Sequence, residues 1–254
     1  MIFLLIRFLP YAVPLIYLFS TRSTFYFNEN WIWLMLLPVI IVGWWFGLLK
    51  RRNKEKALLL LFLYAIVYSL AGFTYATVLE NSWALNGFLA AWSFSYWLYL
   101  EAIFHDFYST DKKYILNLKN IISYANILIV FFLTAALISF NIFLNWPGYV
   151  VLLILFGAYF LMSYLALAKN GLEPFEAQAF AMVLALVMLQ LIGAMMFWPS
   201  SFYVIAFTAA IIYYVIYNLS LAWFHKLLDR KLVIKYLLFG GLVISVVLAS
   251  ARWF

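Results

Sequence analysis

Nine stretches of this 254-residue chain are each long and apolar enough to cross a lipid bilayer. A hydrocarbon core about 30 Å thick needs roughly 20 apolar residues per helix. No water is available there to satisfy backbone polar groups, so such stretches fold as helices. They fall near residues 2–20, 31–49, 57–79, 84–105, 120–140, 147–168, 175–197, 201–224 and 233–252. The expected fold is therefore all-α: a polytopic integral membrane helical bundle of about nine transmembrane helices, forming a single transmembrane domain over residues 1–254. The composition agrees, because only 10% of the residues are charged and 69% are hydrophobic, too few charges for a soluble surface. The first stretch lacks a small-residue cleavage site and reads as a span rather than a removable signal peptide. The chain has no cysteine, which excludes disulfides, thiolate metal sites and a thiol nucleophile.

The formal charge of +7 is unevenly placed. Thirteen of the sixteen Lys and Arg residues lie in four connections, at Lys50 to Lys56, Lys112 to Lys119, Lys169, and Lys226 to Lys235. These follow spans two, four, six and eight, as the positive-inside rule requires. The N-terminus is then cytoplasmic and the C-terminus lies on the opposite side. Charge gathered at membrane connections is topogenic and argues against a nucleic-acid partner. Trp31, Trp33, Trp83, Trp146, Trp198 and Trp253 fall at expected outer ends, with Trp44, Trp45 and Trp223 toward inner ends. Indole rings favour that boundary. Trp92 and Trp97 lie nearer mid-helix and call for packing or a ligand cavity. Arg7, inside the first span, is expected to snorkel to the head groups.

Small residues recur at helix-packing spacing, as Gly43 and Gly47 and as Ala177, Ala181 and Ala185. Pro10, Pro14 and Pro38 should kink their spans unless a neighbour satisfies the carbonyls they free. A faint internal echo also runs through the chain. Phe104-His105 and Phe224-His225 stand 120 residues apart, Asn30-Trp31 matches Asn145-Trp146, and Glu55 with Gly72 matches Glu176 with Gly193. One reading is a duplicated 4+4+1 arrangement, with repeats at 1–110 and 118–230 and a final helix at 233–252. The other is coincidence in an apolar sequence of low complexity.

Ionisable groups near membrane depth are functional candidates by default. Here they gather at the cytoplasmic ends of the spans: Glu101, His105, Asp106, Tyr108, Lys112, Glu173, Glu176 and His225. Glu101 and His105 share a face of span four with Trp97. Glu101, His105, Glu176 and His225 could join in a polar or metal site, or stand as separate boundary residues. Glu173 and Glu176 would also suit the positive N-terminus of span seven. No motif indicates a cofactor: there is no P-loop, dinucleotide fingerprint, HExxH or GxSxG.

Nine spans in a four-four-one order, with Tyr108-Ser109-Thr110-Asp111-Lys112 after span four and Lys119-Asn120 leading into span five, resemble the intramembrane prenyltransferases of the 4-hydroxybenzoate polyprenyltransferase type. That family carries YxxxK at this place. The resemblance implies a transferase acting on a prenyl or lipid substrate at the cytoplasmic face. It also implies two Asp-rich motifs holding Mg-diphosphate, after spans two and six. Here those connections read Lys50-Arg51-Arg52-Asn53-Lys54-Glu55-Lys56 and Lys169-Asn170-Gly171-Leu172-Glu173-Pro174-Phe175-Glu176. The first has no Asp and the second offers only two Glu, so the family's diphosphate chemistry lacks its carboxylates.

Three functions follow. The leading expectation is a non-enzymatic membrane subunit that binds lipid or a partner, with membrane lipids and another membrane protein as partners. A transporter of small solutes or lipid would need paired mid-membrane polar residues, of which Asn126, Thr134 and Gln190 are a thin supply. A diverged prenyltransferase-like enzyme would use Tyr108, Lys112 and the carboxylate and His cluster.

Overall fold

A computed structural model of the chain describes residues 2–26, 36–52, 57–108 and 118–251. Asn30, Trp31, Trp33, Glu55, Lys112, Arg252 and Trp253 lie outside the described residues. Among the described residues there are nine α-helices and no strand: α1 (Ile2–Tyr26), α2 (Leu36–Arg52), α3 (Ala57–Ala76), α4 (Ser82–Tyr108), α5 (Leu118–Phe143), α6 (Gly148–Lys169), α7 (Pro174–Met195), α8 (Phe202–Phe224) and α9 (Arg230–Ser250). Each expected span has its helix. Six of them, α3 and α5 to α9, are long and apolar enough to cross a membrane, and the chain is accordingly a multi-pass membrane protein. Of the other three, α2 is apolar over Leu36–Leu49 but shorter, and α1 and α4 are chemically mixed. α1 contains Arg7 and Arg22, α2 ends in Lys50-Arg51-Arg52, and α4 carries Glu101, His105 and Asp106 among hydroxyl and indole groups.

α1 continues past residue 20 to Tyr26 although its last turns are polar. Its hydroxyls fold back on helical carbonyls: Ser20 on Tyr17 at 3.1 Å, Ser23 on Phe19 at 2.7 Å and Thr24 on Thr21 at 2.6 Å. A side chain satisfied in this way does not break the helix.

The chain divides into two compact units, Met1–Ala125 and Asn126–Phe254. In the first, α1 packs on α2 and α4, and α3 packs on both of these. Its core is aromatic. Tyr68 stacks on Trp92 at 4.5 Å and on Tyr96 at 5.3 Å, and Tyr64 lies against Tyr99 at 5.1 Å. The hydroxyls that would be expensive to bury alone find acceptors, Tyr17 on the Ser69 carbonyl and Tyr99 on the Leu61 carbonyl, each at 3.0 Å. Gly72 lets the ring of Trp92 lie against α3, since a Cβ there would come within 2.0 Å of the indole nitrogen.

In the second unit α6 packs on α7, α7 on α8 and α8 on α9. Ala177, Ala181 and Ala185 are fully buried, as their spacing anticipates. Gly47 departs from expectation: a Cβ there would meet nothing within 4 Å, so it is not a packing glycine. α9 buries only Gly240, where a Cβ would approach Val215 Cγ2 to 2.8 Å. α6 and α8 end in the same way. Gly171 (φ 93°) and Lys226 (φ 56°) adopt left-handed backbone, and the next amides return to the Leu167 and Ala222 carbonyls at 3.4 and 2.8 Å. This is the Schellman closure.

Trp44, Trp83, Trp146, Trp198 and Trp223 are exposed, as boundary indoles should be. Trp45 is not. It is fully buried and donates its indole N–H to the Ile6 carbonyl at 3.1 Å. The expectation of a boundary anchor is thus corrected for this residue.

Candidate functional site

Arg7 near the start of α1 meets Glu101 near the end of α4, and Tyr11 meets Trp97 one turn further along each helix. The two helices therefore run antiparallel. That direction brings Arg7 and Glu101 to the same level.

Arg7 Nη1 donates to Glu101 Oε1 at 2.5 Å, and Nη2 donates to the Tyr11 hydroxyl at 3.0 Å. His105 Nε2 lies 3.1 Å from the same Oε1. The guanidinium also sits over the rings of Phe104 and Tyr11, 4.8 and 5.4 Å from their centroids, a favourable placement for a cation. Phe104 in turn stacks on Tyr108 at 4.9 Å. The Arg7 side chain is 37% exposed and that of Glu101 only 6%. A carboxylate buried to that degree needs a charged partner, and Arg7 supplies it. Arg7, expected to snorkel to the head groups, is paired with Glu101 while its side chain stays partly exposed.

Ser93, Trp97, Glu101 and His105 are spaced by four and so share one face of α4. Three polar atoms on this face are buried without a hydrogen-bond partner among the described residues: Ser93 Oγ, Trp97 Nε1 and Glu101 Oε2. Beside them a groove of about 330 Å³ is lined by Tyr11, Pro14 and Leu15 of α1 and by Ser93, Phe94 and Trp97 of α4.

The remaining sequence candidates among the described residues lie on α4 and at the ends of α7 and α8. Asp106 is exposed on α4 and Tyr108 closes that helix. Glu173 is the N-cap of α7 and Glu176 stands in its first turn, with Pro174 between them. Both are exposed, in the place that a helix N-terminus favours for acids. His225 is the exposed C-cap of α8. Lys112 lies outside the described residues. Among the described residues no three His, Asp or Glu side chains are grouped to hold a metal ion. Of the residues considered for a joint site, Glu101 and His105 are brought together.

The second unit has its own polar contacts. Asn126 Nδ2 donates to the Tyr213 hydroxyl at 3.1 Å, which lies 3.3 Å from Ser163 Oγ. Thr134 and Tyr159 share a hydrogen bond at 2.5 Å, and Asn170 donates to the Tyr217 hydroxyl at 3.2 Å. Asn126 and Thr134 thus join helices, while Gln190 is exposed on α7. The same unit holds a larger groove of about 510 Å³, lined by Phe131 and Phe132 of α5, Phe207, Ile211 and Tyr214 of α8, and Phe239 of α9.

Sequence reasoning missed Arg7 and Tyr11 as members of the cluster. A signal existed: one arginine near the start of span one and one glutamate near the end of span four share a level once the helices are antiparallel. Comparison with protein-family models, with curated protein sequences and with solved structures gave no match.

Proposed function

We propose that this chain is a non-enzymatic, lipid-binding multi-pass membrane protein, and that membrane lipids are its principal partners. The observation that carries this reading is the groove on α5, α8 and α9. Its volume of about 510 Å³ lies within the range of roughly 300–1,000 Å³ typical of ligand sites. Its wall is built from aromatic and aliphatic side chains that suit a hydrocarbon chain. The ionisable groups favour the same reading. Arg7 and Glu101 neutralise each other at 2.5 Å, an arrangement that serves structure more readily than turnover.

The topology belongs to this proposal: nine spans with a cytoplasmic N-terminus and the C-terminus opposite, because the basic connections follow every second helix. A 4+4+1 repeat draws support from a ring of neighbours in each unit. α1 to α4 close one ring. In the second unit, α5 is tied to α6 through Thr134–Tyr159 and to α8 through Asn126–Tyr213.

Native mass spectrometry of the protein purified in mild detergent tests the function. Retained lipid that is lost on Ala210→Phe, which fills the groove, is the expected result. A lipid-free spectrum would overturn the proposal. A stoichiometric protein partner would shift the reading to a partner-binding subunit. Solute flux in sealed liposomes or prenyl transfer in the purified state would replace it with a transporter or an enzyme.

A further inference from the structure

We propose that the groove between α1 and α4 binds a neutral, hydroxyl-bearing single-chain amphiphile, whose head group is held by Ser93, Trp97 and Tyr11. The idea rests on the lipid-binding reading above but concerns a separate groove in the other unit.

The wall of this groove is mostly apolar, with Pro14, Leu15, Leu18 and Ala90 among its residues. Leu15 and Phe94 are exposed along it, so a chain can enter sideways from the bilayer. Its volume of about 330 Å³ is at the small end of ligand sites, which favours one chain over two.

Two polar groups on that wall call for a ligand. Ser93 is 5% exposed and its hydroxyl has no partner among the described residues. The indole N–H of Trp97 is likewise buried without an acceptor. A buried donor left unmet is costly, so a ligand that meets it binds favourably. Trp97 can only donate, whereas a serine hydroxyl donates and accepts. The Tyr11 hydroxyl accepts from Arg7 at 3.0 Å and keeps its own proton to donate. A ligand hydroxyl fits this set, since it can accept from the indole or the phenol and donate to Ser93.

Charge decides against the other head groups. No residue lining the groove is ionised, and the nearest cation, Arg7, is engaged by Glu101 at 2.5 Å. A phosphate would be desolvated there without a dedicated counter-charge, and an ammonium would meet a carboxylate already neutralised.

The test uses oleyl alcohol with a diazirine in its chain, beside its methyl ether and its phosphate ester, photocrosslinked to the full-length protein in nanodiscs. Peptide mapping should place the alcohol on residues 11–18 and 90–97, with the ether and the phosphate labelling about five-fold less, the equivalent of one hydrogen bond. Ser93→Ala should lower labelling by the alcohol about five-fold and leave labelling by the ether unchanged, whereas Trp97→Phe should lower labelling by both, since the ether oxygen still accepts from the indole. Ala90→Phe, at an exposed position that does not threaten folding, should block labelling of this groove by all three probes. Equal labelling by alcohol and ether, preference for the phosphate, or indifference to Ala90→Phe would each overturn the proposal. Lipid retained on α5, α8 and α9 in those cases would leave the general lipid-binding reading standing.

Discussion

Trp45 donates its indole N–H to the carbonyl of Ile6, the acceptor that Pro10 leaves without a helical partner four residues on. Proline lacks the amide proton that would close this turn, and in a membrane an unmet carbonyl finds no water. One indole from α2 therefore fills a gap in the hydrogen bonding of α1. Trp45→Phe keeps an aromatic ring but removes the donor, and should lower stability by about 1–3 kcal/mol. Pro10→Ala restores the amide, so the loss should shrink in that background. A double-mutant cycle of unfolding in detergent measures both, and an equal loss in the two backgrounds would count against the pairing.

The Arg7–Glu101 pair is lopsided, with the carboxylate almost fully buried and the guanidinium partly exposed. Removing Arg7 strands a buried charge, whereas removing Glu101 frees an arginine that can reach the head groups. Arg7→Gln should therefore destabilise more than Glu101→Gln, and the double variant should recover much of the Arg7→Gln loss. Thermal unfolding of the three variants gives the order directly; the reverse order would show that Glu101 is solvated by other means.

Gly72 is a matter of space. A Cβ at this position would lie 2.0 Å from the indole nitrogen of Trp92, which is itself stacked on Tyr68 at 4.5 Å. Gly72→Ala should force that ring aside and lower stability by about 1–3 kcal/mol, the usual effect of overpacking. Gly47→Ala, which meets nothing within 4 Å, serves as the matched control and should be neutral or better. Near-ultraviolet circular dichroism should report the displaced ring in the first variant only.

Lys226 stands where α6 uses Gly171, in left-handed backbone at the end of a helix. Lys226→Gly should stabilise the α8 terminus by about 0.5–1 kcal/mol, since glycine carries no Cβ penalty there. Gly171→Ala should have the opposite sign. Hydrogen exchange at the Leu227 amide, bonded to the Ala222 carbonyl at 2.8 Å, should slow in Lys226→Gly; faster exchange would contradict the strain argument.

How much the sequence discloses differs by level. Every described helix overlaps a stretch read from hydropathy, and six of them are long and apolar enough to cross a bilayer, a length set by its thickness. The alanines of α7 announced their packing face through spacing, and the prolines announced that carbonyls would need outside donors. The identity of the donor was not legible. Trp44 and Trp45 are adjacent and read alike, yet one is exposed and the other fully buried.

The reason is the solvent. In water the polar face of a helix marks the side away from the core. In lipid both faces are apolar, so periodicity no longer tells which side packs. The sequence by itself determined an all-helical membrane chain and the residues able to carry charge within it. Only the tertiary structure decided that Arg7 rests on Glu101, that Trp45 completes the turn broken by Pro10, and that Ser93 and Trp97 stand beside one groove. Those relations depend on the rotation of each helix about its axis, which the contacts between helices set.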